Sequence, residues 1–309
     1  MIAHGLAVPY PDELAYSVIA RSLKRWHYAH NHRLLCTLFQ SEPPIIDLTA
    51  PSHLSRVAKA YGFASARTFA ARHTLLPYYL AFVPERQRAS TLKALFAEEH
   101  KATSHLLLIR SPAGLEPPFL RCCNDCVRFD LLRYGETYWH RSHQLPAVSK
   151  CLRHLCGLRW SSIPYRPKSP TDYWAATESG LLRSQTSRYF CPIRGALADD
   201  VNRQSLELLS AGFGHRNVHM SCDGYREALN QTGYVAVTGR IDARLLGERI
   251  AEFVGPKAAT ARSLGIERWW LQAARRSSRH RLTPVQHLLM QAFIRSCRAS
   301  RPSQAELLL

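Results

Sequence analysis

Two short steps of metal-binding residues constrain this chain more than any other feature. Cys123-Asn-Asp-Cys126 is a C-x2-C step and Cys151-Leu-Arg-His154 is a C-x2-H step, with residues 127–150 between them. Each step turns its two side chains toward one point, and three thiolates with one imidazole complete a closed tetrahedron. The pattern predicts one structural Zn2+ on Cys123, Cys126, Cys151 and His154. A closed site has no position for water, so it stabilises rather than catalyses. Its binding free energy becomes folding free energy, on the order of ten kcal/mol for such modules. The plain alternative is four buried residues at coincidental spacing; two steps bracketing one loop favour the metal. Cys122 and Cys156 adjoin the proposed ligands, and Cys122 with Cys126 is a second possible pairing. The isolated Cys36, Cys191, Cys222 and Cys297 read as core residues. Nine cysteines, odd in number and otherwise scattered, fit the reduced thiols of a cytosol better than a disulfide framework.

The rest of the chain reads as mainly α. Residues 1–118 form a helical N-terminal region, 119–170 a small zinc-finger or ribbon module, and 171–309 a helical C-terminal region. Pro11-Asp12-Glu13-Leu14 predicts a first helix, with Leu14, Val18, Ile19 and Leu23 on one face and Arg21, Lys24 and Arg25 on the other. Ser52 predicts the cap of a second helix reaching Tyr61, and Gly62-Phe63 breaks it. A third helix spans Ser65 to about Arg72. Two short helices around a glycine turn fit both a helix-turn-helix and an ordinary helical hairpin. Proline-rich stretches at 111–118 and 164–170 mark the two boundaries. Farther on, residues 233–239 read as an extended piece. Helices are expected over 242–253, 256–264 and 267–276, with Gly265 in the turn of a second helix-turn-helix candidate. A last helix runs from Thr283-Pro284 to about Arg298.

Charge narrows the partner. The 309 residues carry 41 Lys and Arg against 23 Asp and Glu, a net +18. Such a chain repels itself unless a polyanion is near, and double-stranded DNA is the commonest one. No apolar run is long enough to span a bilayer, so no membrane partner is expected, and the opening residues lack the pattern of a signal peptide. Candidate DNA contacts are Arg67 and Arg72 on the third helix, Arg141 between the two metal-binding steps, and Gln272, Arg275, Arg276, Arg279 and Arg281 at the second helix-turn-helix. Gln and Arg pair with base edges, whereas Arg279 and Arg281 past the helix suit phosphate. The bland reading of each is a solvated charged face. Trp139, His140, Arg141 and His143 suit either contact with nucleic acid or packing inside the small module.

Several stretches occur together in an order that resembles a known family. They are Tyr10-Pro-Asp-Glu-Leu-Ala-Tyr-Ser17, Pro51-Ser-His-Leu54, His73-Thr-Leu-Leu-Pro77, Arg121-Cys-Cys-Asn-Asp-Cys126, Arg133-Tyr-Gly-Glu136, Tyr138-Trp-His-Arg-Ser-His-Gln-Leu-Pro146 and Cys151-Leu-Arg-His154. In this order they resemble the TniQ/TnsD family of transposition target-selection proteins, through roughly the first half of the chain. The C-terminal half resembles the TnsD branch more loosely, through Gly233-Tyr, the Gly265 turn and His287-Leu-Leu-Met290. The resemblance implies a non-catalytic adaptor in the bacterial cytoplasm, at the nucleoid. Such proteins recognise an attachment site or dock on a CRISPR RNA-guided complex. They then recruit an AAA+ ATPase, and through it the transposase. It also carries the family's zinc ligands onto Cys123, Cys126, Cys151 and His154. This chain departs in having Asn124 and Leu152 where the family often has Pro, and it is shorter than site-specific TnsD proteins, as a minimal or truncated form would be.

Enzyme readings lack their residues. No carboxylate cluster suits a two-metal nuclease. Glu98-Glu99-His100 does not make H-E-x-x-H, no H-x-E precedes a P-C-x-x-C, and no G-x4-G-K-[ST] loop is present. No catalytic residue is assigned. A zinc-containing helix-turn-helix transcription regulator is the second reading, and a scaffold whose basic surface meets an acidic partner is the third.

Overall fold

The computed structural model describes residues 5–26, 31–97, 117–146, 148–176, 195–214, 217–231, 243–254 and 282–299. Among them the chain is mainly helical with one two-stranded sheet. In order the elements are α1 (Ala15–Arg25), α2 (Asn31–Phe39), α3 (Leu54–Ala60), α4 (Ala66–His73), α5 (Leu76–Leu80) and α6 (Glu85–Leu95). Strand β1 (Phe119–Cys122), α7 (Asn124–Tyr134) and β2 (Arg159–Pro164) follow. The last four helices are α8 (Gly195–Ser210), α9 (Cys222–Asn230), α10 (Ala243–Val254) and α11 (Pro284–Ala299). The expected extended piece at 233–239, the helices expected over 256–264 and 267–276, and the Gly265 turn lie outside the described residues.

Helix α1 is the centre of the N-terminal region. Every residue from Ala15 to Leu23 is buried, so the helix has no solvated side until Lys24. This corrects two expectations. First, the helix begins at Ala15 rather than at Pro11. Asp12 takes a left-handed φ of 57°, and Pro11–Leu14 form a turn whose acids serve tertiary partners. Second, Arg21 is inside. Its Nη1 lies 2.7 Å from Glu13 and its Nη2 2.6 Å from Glu136. A helix buried on all sides must satisfy its polar side chains internally. Ser22 Oγ accepts from Ala7 N and meets the Tyr61 hydroxyl at 2.9 Å. Ser17 Oγ donates to Glu13 and accepts from Trp139 N.

Helices α3 and α4 are antecedent and successor of a short turn in which Gly62 has φ 77°, a region that costs a side chain more than it costs glycine. Ser65 caps α4 by accepting from Thr68 N at 3.1 Å. Helix α3 starts at Leu54, with His53 at φ 51° rather than Ser52 in the N-cap position. Phe69 and His73 of α4 turn inward against Tyr61 and Phe63, which leaves Arg67 and Arg72 on the outer side. Helix α5 packs on α8, and α8 on α11.

Strand β1 pairs antiparallel with β2, with Arg121 opposite Trp160 and Cys122 opposite Arg159. Leu120, Trp139, Leu145, Ile163, Tyr165 and Tyr173 bury their side chains in the same apolar core as Leu14, Val18 and Leu76. Residues on both sides of position 118 therefore share one core. The N-terminal turn seals the join: Leu14 N donates to Trp139 O, and Arg141 N donates to Asp12 O.

Candidate metal centre

The first metal-binding step lies at a strand-to-helix junction. Strand β1 ends at Cys122, Cys123 adopts extended dihedrals as the N-cap residue, and Cys126 sits in the first turn of α7. Helical geometry from Asn124 onward brings the two sulfurs to one side. Helix α7, which fills much of what the spacing presented as a loop, ends at Gly135 with φ 74°. The second step is the tip of a small hairpin. Lys150 bridges Gly157, Cys151 N donates to Cys156 O, and Leu155 N donates back to Cys151 O at 2.7 Å.

These two turns bring the four expected residues together. One ligand atom from each of Cys123, Cys126, Cys151 and His154 lies within 4.8 Å of the others. The Cys126 and Cys151 sulfurs are 3.7 Å apart. His154 Nδ1 is 3.4 Å from Cys123, 3.4 Å from Cys126 and 3.7 Å from Cys151. Bond lengths of about 2.3 Å to sulfur and about 2.05 Å to nitrogen give a tetrahedron with edges of about 3.8 Å and about 3.6 Å. The donor set fits a zinc-sized ion on those edges. The three sulfurs form a buried cluster of their own, apart from the main core.

The electrostatics point the same way. The hydrogen bond with Cys151 pushes the Cys126 thiol up, and burial pushes Cys123 up to about 12. The hydrogen bond from Cys126 holds the Cys151 thiol low. Three crowded sulfurs share their negative charge badly; a divalent cation lets all three ionise together.

The neighbouring cysteines separate. Cys122 faces the main apolar core with Leu120, while Cys123 faces the cluster, because successive strand residues point to opposite sides. Cys156 Sγ lies 3.2 Å from Cys123 Sγ, and with Asp125 it forms a second, overlapping donor group. Buried His143 brings Nε2 to 3.8 Å from Cys126 Sγ, a placement that no sequence spacing announced.

A buried polar network positions this block on α1. His140 Nε2 is 2.9 Å from Asp130, and its Nδ1 is 3.6 Å from Asp12. Burial disfavours its charge, but Asp12 and Asp130 outweigh that and raise its pKa to about 9. Arg121 donates through its guanidinium to Val148 O and Leu145 O, and Gln144 donates to Arg121 O and His140 O. Arg141 is buried as well, donating to Asp12 Oδ1, Ala71 O and Thr74 O. The residues Trp139, His140, Arg141 and His143 thus pack inside. Arg67 and Arg72 are exposed, with Arg67 over the Phe213 ring. Gln272, Arg275, Arg276, Arg279 and Arg281 lie outside the described residues.

A helical protein organised around a Cys3His donor set, its three sulfurs buried and its imidazole half-buried, is the class that this fold and site define. Residues 6–158, which hold the whole donor set, match the family model described as TniQ. Through this half the chain belongs to the TniQ/TnsD family. It is 31% identical over 150 residues to the Transposon Tn7 transposition protein TnsD of Escherichia coli, a stretch covering 48% of this chain and 30% of that relative.

Proposed function

We propose that this chain is a target-site selection protein of transposition, acting as a DNA-binding adaptor rather than as an enzyme. The match of residues 6–158 to TniQ, with the TnsD relative over a similar length, carries the reading. The net charge of +18 supports a DNA partner. In this reading the chain binds a discrete attachment site and recruits an AAA+ ATPase, which brings in the transposase, at the nucleoid of a bacterial cytoplasm. Among the described residues no helix is long and apolar enough to cross a membrane.

One Zn2+ belongs on Cys123, Cys126, Cys151 and His154. Four protein donors close the coordination sphere, so the ion supplies folding free energy and no reaction. It ties the β1–α7 junction to the 150–157 hairpin. Exposed Arg67 and Arg72 on α4 supply DNA contacts from the α3–α4 pair, read as a helix-turn-helix. Gln272, Arg275 and Arg276 read bases, and Arg279 and Arg281 hold phosphate.

The test is a footprint of the purified chain on DNA at moderate salt. A discrete protected site is expected. Diffuse binding alone would replace direct reading with docking on an RNA-guided complex. A discrete site in a promoter, with no ATPase recruited, would favour the transcription regulator.

A further inference from the structure

We propose that His32, Cys36 and Glu42 form a second metal site, open to solvent, for a borderline divalent ion of the zinc, cobalt and nickel type. This site is separate from the Cys3His cluster and does not depend on the transposition reading.

Helix α2 presents His32 and Cys36 four residues apart, on one face. The ring and the thiol meet there, with Cys36 Sγ 3.6 Å from His32 Nδ1 and 3.9 Å from its Nε2. The third donor arrives by a turn. Helix α2 ends at Phe39, Gln40 takes a left-handed φ of 52°, and the chain doubles back. Glu42 then places Oε2 3.0 Å from the same Nε2. Arg56 of α3 fixes that turn by donating to the carbonyls of Phe39 and Gln40. One atom from each of the three residues lies within 4.8 Å of the others.

The spacing suits an ion. A zinc-sized centre with sulfur, nitrogen and oxygen donors has sulfur–nitrogen edges of about 3.6 Å and nitrogen–oxygen edges of about 3.3 Å. The observed 3.9 and 3.0 Å bracket these, and the shift needed lies within the reach of a Glu42 side chain that is 84% exposed. A His–Glu ion pair accounts for the 3.0 Å contact; the thiol, held beside the ring by the four-residue spacing, adds the third donor. One thiolate, one imidazole and one carboxylate select against Mg2+ and Ca2+, which take oxygen donors. Three protein donors leave a coordination position for water, unlike the closed cluster. The ion enters from solvent without opening the fold.

Cobalt titration of the full chain carrying a single equivalent of zinc tests this, with zinc release counted in parallel. Wild type should take up one added equivalent of Co2+ without releasing zinc. That uptake should bring a thiolate-to-cobalt absorption in the near ultraviolet. Cys36→Ser should abolish the band. His32→Gln and Glu42→Gln should each weaken binding by more than about tenfold, the lower bound for losing even an outer-shell partner. His32 and Glu42 are exposed and Cys36 is half-buried, outside the main core, so circular dichroism should show an unchanged fold. The proposal is overturned if wild type gives no band without zinc release, or if Cys36→Ser keeps the band.

Discussion

Arg21 on α1 and Glu136 beyond the end of α7, 115 residues apart in sequence, meet at 2.6 Å, the arginine buried and the glutamate half-buried. The same guanidinium holds Glu13, which is fully buried, and lies 3.9 Å over the Tyr10 ring. This joint fastens the segment after α7 to the central helix of the N-terminal region. Removing one partner of a buried pair leaves the other charge uncompensated, which costs about 3–5 kcal/mol. Arg21→Ala should therefore lower stability by that order in urea denaturation. Arg25→Ala, at the exposed edge of the same network, should cost less than about 1 kcal/mol. Equal effects from the two variants would contradict the buried joint.

Metal content follows from the donor set. Purified protein should carry about one zinc per chain. Cys126→Ser and Cys123→Ser should lose it and melt at much lower temperature, because the ion's binding free energy is on the order of 10 kcal/mol. Cys122→Ser should keep its zinc, since that side chain faces the apolar core. Zinc retained by Cys126→Ser, or lost only by Cys122→Ser, would overturn the ligand assignment.

Stability should depend on pH through His140. Its folded pKa, about 9, lies above the ordinary 6.5, so its contribution is full below pH 6.5 and is lost as pH rises through 9. The loss across that window should be on the order of 3 kcal/mol. His140→Gln, which cannot charge, should flatten this segment of the stability profile relative to wild type. Parallel profiles would mean that Asp12 and Asp130 do not hold a charged imidazole.

DNA binding should weaken with salt at a slope of roughly −0.9 per phosphate neutralised. Gln272→Ala with Arg275→Ala should reduce preference for a specific site. Arg279→Ala with Arg281→Ala should weaken all DNA alike and flatten the slope. Should both pairs bind like wild type in a filter assay, Arg67 and Arg72 on α4 become the next positions to replace.

The metal donors were legible because short-range spacing carries them: a C-x2-C or C-x2-H step fixes where its own two side chains point. Helices α4, α10 and α11 likewise follow local signals such as the Ser65 cap and the Pro284 start. Local signals failed where tertiary partners took over. The acids of Pro11–Leu14 look like a helix N-terminus, yet Glu13 serves Arg21 and Asp12 serves Arg141 and His140. Arg141 looks like a surface arginine, yet it ties the 137–146 segment to the end of α4.

By itself, then, the sequence determined the helical class, the grouping of Cys123, Cys126, Cys151 and His154, and the family. Spacing and motif order are properties of neighbouring residues, and they survive in a string. Only the tertiary structure decided which of Cys122 and Cys123 faces the donor cluster, that Arg21 lies inside, and that His32 and Cys36 have Glu42 within reach. Strand direction at one residue, the burial of a charge and the closure of a donor set all depend on segments that arrive from elsewhere in the chain. A buried charge is tolerable only when its partner is there to meet it, and that partner has no fixed offset in sequence.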